Sequence, residues 1–311
     1  MNLFNKPNYR ISRIDKNELT LKDVIAESKD KCDVSLAGIP FDGSTFGRPG
    51  ARYAPKYIRE HLLSLNTYSY EFDFDLSKLK ILDFGDIKVS NTDFNFTFEN
   101  IFKASKECMK NSKLSIYLGG DHSITYPLVK AYCENYGKLN LIILDAHHDI
   151  REINEPYSSS GTFLRRIIYE ENKPSYIFQI GIRDFYNNYY YYKKAKDYGI
   201  EILTVDKIRK VGIKKIFSMI FDAAKQSDVT YLSIDVDVLD MLYASGTNSP
   251  CINGLNSMEF LNIIKEICKI ENLKAVDIVE LAPLYDLNNY TTKLISYSIA
   301  YIIAAKFSNN Q

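Results

Sequence analysis

Residues 139–152 read LNLIILDAHHDIRE. The first six are almost all apolar, and a run of that length suits a strand buried on both faces. The eight that follow, residues 145–152, hold three carboxylates and two of the four histidines in the chain. Charge at the end of a buried strand costs free energy unless it is compensated. Whatever balances Asp145, His147, His148 and Asp149 is therefore part of what this chain does.

Similar short runs recur: DVSLAGI from 33, KILDFG from 80, LSIYLGG from 114, YIFQIGI from 176, EILTV from 201, YLSIDVD from 231 and AVDIVEL from 275. Between them lie longer stretches with apolar residues at helical spacing. Among these are APKYIREHLLSL from 54, FTFENIFKASKECMK from 96, one unbroken run VDKIRKVGIKKIFSMIFDAAKQ from 205, and SMEFLNIIKEICKI from 257. Strands alternating with helical crossovers predict an α/β fold, its mainly parallel eight-stranded sheet covered by helices on both faces. No linker rich in Pro, Gly or Ser and no internal repeat is found. One domain over residues 1–311 is expected, with residues 1–32 as an N-terminal segment packing on it.

Composition narrows the setting. The chain is 46% hydrophobic and 25% charged, as in an ordinary globular protein, and 39 basic residues balance 39 acidic ones. Neither a nucleic acid nor an anionic membrane is predicted as a partner. The start, MNLFNKPNYRISRIDKNEL, lacks the apolar core of a signal peptide, and no later run is long enough to cross a bilayer, so a cytoplasmic location is expected. Five scattered cysteines, Cys32, Cys108, Cys133, Cys251 and Cys268, are never spaced as CxxC and are expected to pack as small hydrophobes.

In parallel α/β sheets ligands bind beyond the carboxyl ends of the strands. There the chain places GGDHS (119–123), DAHHD (145–149), DVD (235–237) and VEL (279–281). Side chains two apart on extended backbone share a face, so Asp145, His147 and Asp149 point one way and His148 the other. Asp235 and Asp237 pair likewise, and with His122 four carboxylates and two imidazoles converge. Such carboxylates repel one another unless cations intervene. Hard and intermediate ligands without a thiolate suit two octahedral or five-coordinate ions, and favour manganese over zinc. Two ions roughly 3.5–4 Å apart hold a bridging water and lower its pKa towards ~7, which predicts a metal-assisted hydrolase. Taken alone, His122 also reads as a loop hydrogen-bonder and Asp235 as a helix cap. DxHxD at a strand end has no comparable structural explanation. His148 is expected outside the ligand set, His61 at the surface or core edge, and Glu152 in solvent.

Together these motifs resemble the ureohydrolase family, which includes arginase, agmatinase and formimidoylglutamase. The likeness runs from GIPFDGSTFGRPGARYAPKYIRE (38–60) through GGDHS, LDAHHD, SGTFLRR and SIDVDVLD to DIVELAP (277–283). The resemblance implies an arginase-like three-layer α/β/α fold and two Mn2+ ions as cofactor. It implies that His122 and Asp149 serve one ion, that His147 and Asp237 serve the other, and that Asp145 and Asp235 bridge them. It also implies catalytic roles for Glu280 and Asp149, with Glu280 holding the amidine or guanidine group through bidentate, charge-assisted hydrogen bonds. A homo-oligomer, trimer or hexamer, is the assembly it suggests.

Two departures point within the family. Ser160 precedes Gly161 where arginases and agmatinases carry a histidine, and Arg151 stands where the arginase pattern has an asparagine. DIR followed by SSSGTF is closest to formimidoylglutamase, whose pattern runs DAHxDxR and then SSGTPFRQ. N-formimidoyl-L-glutamate is a small molecule with two carboxylates, so its pocket needs cationic donors, and the planar fork of arginine suits them. Arg151, Arg165, Arg166 and Arg183 are candidates, Arg151 first by its place beside the metal motif. For Arg165 and Arg166 a solvated helix face is the favoured reading. The expected substrate-binding set is Arg151, Ser160, Gly161 and Glu280. The expected reaction gives L-glutamate and formamide, a step of histidine degradation. An agmatinase or other guanidino-compound hydrolase is the alternative. A non-catalytic family member and a one-zinc deacetylase-like enzyme are further ones, the latter opposed by His147 and Asp237.

Overall fold

The computed structural model of the chain describes residues 4–5, 19–153 and 159–308. All eight expected strands form: β1 Cys32–Gly38, β2 Ile81–Ile87, β3 Ser112–Leu118, β4 Leu139–Leu144, β5 Tyr176–Ile182, β6 Glu201–Thr204, β7 Val229–Asp235 and β8 Leu273–Val279. They run parallel in the order β2-β1-β3-β8-β7-β4-β5-β6. Two further two-residue strands lengthen the sheet at β2: Phe4–Asn5 pairs with it antiparallel, and Ala26–Glu27 parallel. Of the segment 1–32, residues 1–3 and 6–18 lie outside the described residues. Leu21, in the helical turn Leu21–Val24, is fully buried, and its N–H donates to the Leu65 carbonyl at 2.8 Å.

Strand β4 shows how a period of two builds two cores. Leu139, Leu141 and Ile143 enter one apolar cluster, while Ile142 and Leu144 enter the other. One face is covered by α1 Ala54–Leu62, through Ile58, and α2 Phe94–Asn111 covers the opposite face through Ile101. Helices α3 Thr125–Tyr136 and α4 Phe163–Tyr169 join α2 through Leu128 and Leu164. Helix α5, Tyr189–Asp197, sits at the same face through Ala195. The α1 face is completed by α6 Val205–Val211, α7 Ile213–Lys225, α8 Ser257–Cys268 and α9 Tyr290–Ser308, which contribute Ile208, Ile220, Ile264 and Ile299. The result is three layers, α/β/α.

Two features depart from the sequence reading. The run from 205 is not one helix: Gly212 takes φ +81° and separates α6 from α7, a role that suits a residue without Cβ. Helix α9 carries no sharp helical period because it is apolar on most sides, and it is correspondingly buried along most of its length. Among the described residues no helix is long and apolar enough to cross a membrane.

One ion-pair cluster ties α1 to the sheet. Arg59 is buried, and its Nε and Nη2 grip both oxygens of Asp83 at 2.6 and 2.9 Å while Nη1 reaches Asp86 at 2.6 Å. Burial opposes the guanidinium charge, but the two carboxylates outweigh it and push the Arg59 pKa above its ordinary value.

Candidate active site

Strands β3, β8, β7 and β4 are neighbours in the sheet though far apart in sequence, so their carboxyl ends bring the four motifs together. Gly119 and Gly120 permit the closest approach. A Cβ on Gly120 would lie 1.7 Å from the Phe41 carbonyl oxygen, and one on Gly119 would lie 2.2 Å from that of Ile278. Instead the Gly119 N–H donates to Ile278 at 2.7 Å and the Glu280 N–H donates to Gly120 at 2.9 Å, joining the end of β3 to that of β8.

The six expected ligands meet. His122 Nδ1 lies 3.2 Å from Asp145 Oδ2, 3.3 Å from Asp149 Oδ2 and 3.0 Å from Asp235 Oδ2. His147 Nδ1 lies 3.0 Å from Asp237 Oδ2 and 3.6 Å from Asp145 Oδ1. Asp145 thus faces one imidazole with each oxygen. Asp235 divides its carboxylate: Oδ1 accepts the Asp237 N–H at 2.9 Å, as a capping residue would, and Oδ2 faces His122. The extended alternation expected through Asp149 is not what brings it in. Strand β4 ends at Leu144, and Asp149 turns inward with φ +50°. Glu280 has φ +66°. Left-handed backbone at two acidic residues is strain that persists only where surrounding bonds over-determine it.

The other ring nitrogen of His122 is committed. Nε2 is 3.1 Å from Ser233 Oγ, which donates to Asp277 Oδ1 at 2.6 Å, while Tyr231 and Thr125 donate to Asp277 Oδ2 at 2.7 and 2.9 Å. A serine hydroxyl already donating to a carboxylate accepts from Nε2–H, which leaves the Nδ1 lone pair facing the three aspartates. His148 points away as expected, its Nδ1 2.7 Å from Gln179 Oε1.

Electrostatics tests whether cations fit here. Burial raises the pKa of Asp235, and Asp237 and Asp145 raise it further. Asp149 is pushed the same way by burial and Asp145. Burial opposes a charged His147, yet Asp237 and Asp145 outweigh it and hold its pKa far above the ordinary imidazole value. The chain by itself thus resolves the crowding only by taking up protons. Two doubly charged cations cancel four carboxylates with both imidazoles neutral, and His122 Nδ1 and Asp145 Oδ2, which face each other buried and without a hydrogen bond, are atoms suited to such a charge. The residues fit a pair of divalent ions.

A cleft opens over this cluster, lined by His147, Asp149, Arg151, Ser160, Gly161, Asp235, Asp237 and Glu280, together with Phe46, Gly47, Tyr186, Asn248 and Ser249. Glu280 Oε1 accepts the His122 N–H at 2.8 Å, and Oε2 is buried without a partner. Burial, Asp235 and Asp121 all push the Glu280 pKa up. Of the four candidate arginines only Arg151 lines the cleft. Arg165 is buried rather than solvated: it donates to the Ile150 carbonyl at 2.8 Å and to Glu152 at 2.6 Å. Glu152 is correspondingly engaged by Arg165 and by the Tyr190 hydroxyl rather than merely hydrated. Arg183 clamps the carbonyls of Asp237 and Val238 at 2.8 and 2.6 Å and so shapes the ligand turn. Arg166 is half-buried on α4, and His61 is half-buried at the core edge.

Some site residues were not anticipated. Cys251 packs with its Sγ 3.9 Å from His147 Nε2, in contact with a candidate ligand rather than only with apolar neighbours. Asn248, Ser249 and Tyr186 belong to loops that carry no local pattern. Phe46 had a usable signal, a bulky aromatic in the small polar stretch GSTFG.

Residues 32–305 match the model of the arginase family. The chain is 34% identical over 275 residues to a formimidoylglutamase of Halalkalibacterium halodurans, covering 87% of this chain and 86% of that one. It is 33% identical over 258 residues to an agmatinase of Blochmanniella floridana, covering 82% of each. Among solved structures, the formimidoylglutamase of Bacillus subtilis is similar with a TM-score of 0.89 at 29% identity, over 95% of this chain and 94% of that one.

Proposed function

This chain belongs to the arginase family and is a metal-dependent hydrolase of linear amidines, and from that premise we propose that its substrate is N-formimidoyl-L-glutamate, cleaved to L-glutamate and formamide. Overall identity does not separate the candidates, since 34% to a formimidoylglutamase and 33% to an agmatinase are nearly equal. The observation that carries the choice is Arg151, a guanidinium on the cleft wall with no acidic partner among the described residues. An unpaired arginine fork is matched to a carboxylate and repels the amine of a cationic guanidino substrate.

In this reading His122 and Asp149 would hold one manganese ion and His147 and Asp237 the other, with Asp145 and Asp235 available to both. The two oxygens of Asp145, each facing a different imidazole, support that sharing. Bound there, the ions supply Lewis acidity and make a water acidic enough to deprotonate near neutral pH. Glu280 Oε2, buried and unpartnered, accepts from the protonated amidine nitrogen and fixes the formimidoyl carbon above the ligand cluster. Arg151 holds a substrate carboxylate at the wall. In this reading the Asp149 carboxylate, which lines the cleft, takes the proton of the attacking water and returns it to the glutamate nitrogen as the C–N bond breaks. On the same reading no proton passes through Ser160, whose Oγ accepts from the Phe46 N–H at 3.3 Å.

The test is product analysis. Manganese-loaded protein is offered N-formimidoyl-L-glutamate, agmatine, arginine and guanidinobutyrate, and formamide, urea and ammonia are measured. Formamide from the first substrate alone supports the proposal. Urea from a guanidino compound replaces it with the agmatinase-like alternative.

A further inference from the structure

We propose that Phe46 is a positioning residue for Arg151, and that the pair sets the preference for a carboxylate-bearing amidine, an inference that rests on the dicarboxylate substrate. Phe46 is a large apolar side chain left 66% exposed, and it belongs to neither core cluster. Its ring centroid lies 4.3 Å from the Arg151 guanidinium carbon. The arginine stem runs against Gly161, where an added Cβ would come within 2.9 Å of Arg151 Cδ. The side chain thus meets an aromatic ring at its guanidinium and a residue with no side chain along its stem, and the Arg151 N–H is fixed by the Gly161 carbonyl at 2.9 Å.

The ring is exposed, but the loop beneath it is pinned around the cleft. Ser44 N–H donates to Asp121 Oδ2 at 2.8 Å, Phe46 N–H to Ser160 Oγ at 3.3 Å, and Arg48 N–H to the Asn248 carbonyl at 3.1 Å. Backbone bonds, not core packing, place the aromatic face over the arginine. A long charged side chain loses rotamer freedom when it grips a ligand, and a stack that already restricts it lowers that cost while leaving the edge N–H groups free for a carboxylate. Ser160 then has a role that a sequence pattern does not reveal, anchoring the Phe46 backbone.

The experiment compares manganese-loaded wild type, Phe46→Ala, Phe46→Tyr, Arg151→Ala and the Phe46→Ala/Arg151→Ala double variant on N-formimidoyl-L-glutamate and on N-methylformamidine, which has no carboxylate. Phe46→Ala is expected to raise KM for the dicarboxylate about three- to tenfold with little change in kcat, and Phe46→Tyr to restore it. Phe46→Ala adds nothing to Arg151→Ala, and KM for N-methylformamidine stays put. Effects that add independently in the double variant, or that are equal on both substrates, overturn the inference and make Phe46 a plain apolar wall. A wild-type enzyme that leaves N-formimidoyl-L-glutamate intact removes the substrate reading first, and the inference falls with it.

Discussion

The backbone N–H of His122 donates to Glu280 Oε1 at 2.8 Å, so one oxygen of this buried carboxylate is committed to the chain while Oε2 has no partner. The same bond joins the loop after β3 to the end of β8, which ties the orientation of Glu280 to that of a candidate metal ligand.

Glu280→Gln keeps the shape of the side chain and an oxygen for the His122 N–H but removes the charge proposed to meet the amidine. Loss of one such preorganised electrostatic contact reduces kcat by roughly 10²–10³-fold. Bound manganese per chain should not change. Kinetics alongside elemental analysis checks both, and a loss of metal in step with activity would reassign Glu280 to the metal cluster.

Asp277 reaches the candidate metal cluster indirectly, through Ser233 to His122 Nε2. Ser233→Ala leaves His122 free to rotate, and changes of this kind cost roughly 10–100-fold in metal affinity. Titration with Mn2+ followed by electron paramagnetic resonance should show one ion weakened more than the other. Equal, unaltered affinities would show that the relay does not hold the imidazole.

Chelation should destabilise the fold as well as stop turnover, because Asp145, Asp235 and Asp237 then lose the charge that balances them. A ligand present at about 100 times its Kd contributes roughly 2.7 kcal/mol. At about 1.5 °C per kcal/mol for a chain of this size, Tm falls by roughly 4 °C for each ion so bound. Calorimetry with and without Mn2+ measures it; an unchanged Tm would contradict metal binding at this cluster.

Arg59→Met removes the cation that, among the described residues, faces both Asp83 and Asp86, and takes from the buried Asp83 the charge that grips both its oxygens. Breaking a buried pair this way costs about 3–5 kcal/mol. Urea unfolding reports the shift in midpoint. A loss below about 1 kcal/mol would equate the cluster with a surface bridge.

Much of the architecture is legible because each strand announces itself locally. Runs such as LNLIIL are apolar on both faces, and that composition already demands helices above and below. Local reading fails where the signal is absent or ambiguous. Gly212 inside a helical pattern is tolerated in many helices and ends this one, and α9 is too uniformly apolar to show a period. At the site, residue types and spacing nominate the six ligands, but extended geometry does not explain Asp149, whose left-handed turn depends on its surroundings.

By itself, the sequence determined which residues are chemically fit for the work: two imidazoles and four carboxylates at strand ends, a glutamate in VEL, and an arginine beside DAHHD. Only the tertiary structure decided which of them meet. Gly119 reaches Ile278 across more than half the chain, and β3, β8, β7 and β4 become neighbours through strand pairing that no local pattern encodes. It also separated four similar arginines, burying Arg165 and Arg183 against backbone carbonyls and leaving Arg151 on the cleft wall beside Phe46. Residue type follows from covalent chemistry, whereas partner and exposure follow from hydrogen-bond register and packing between segments distant in sequence.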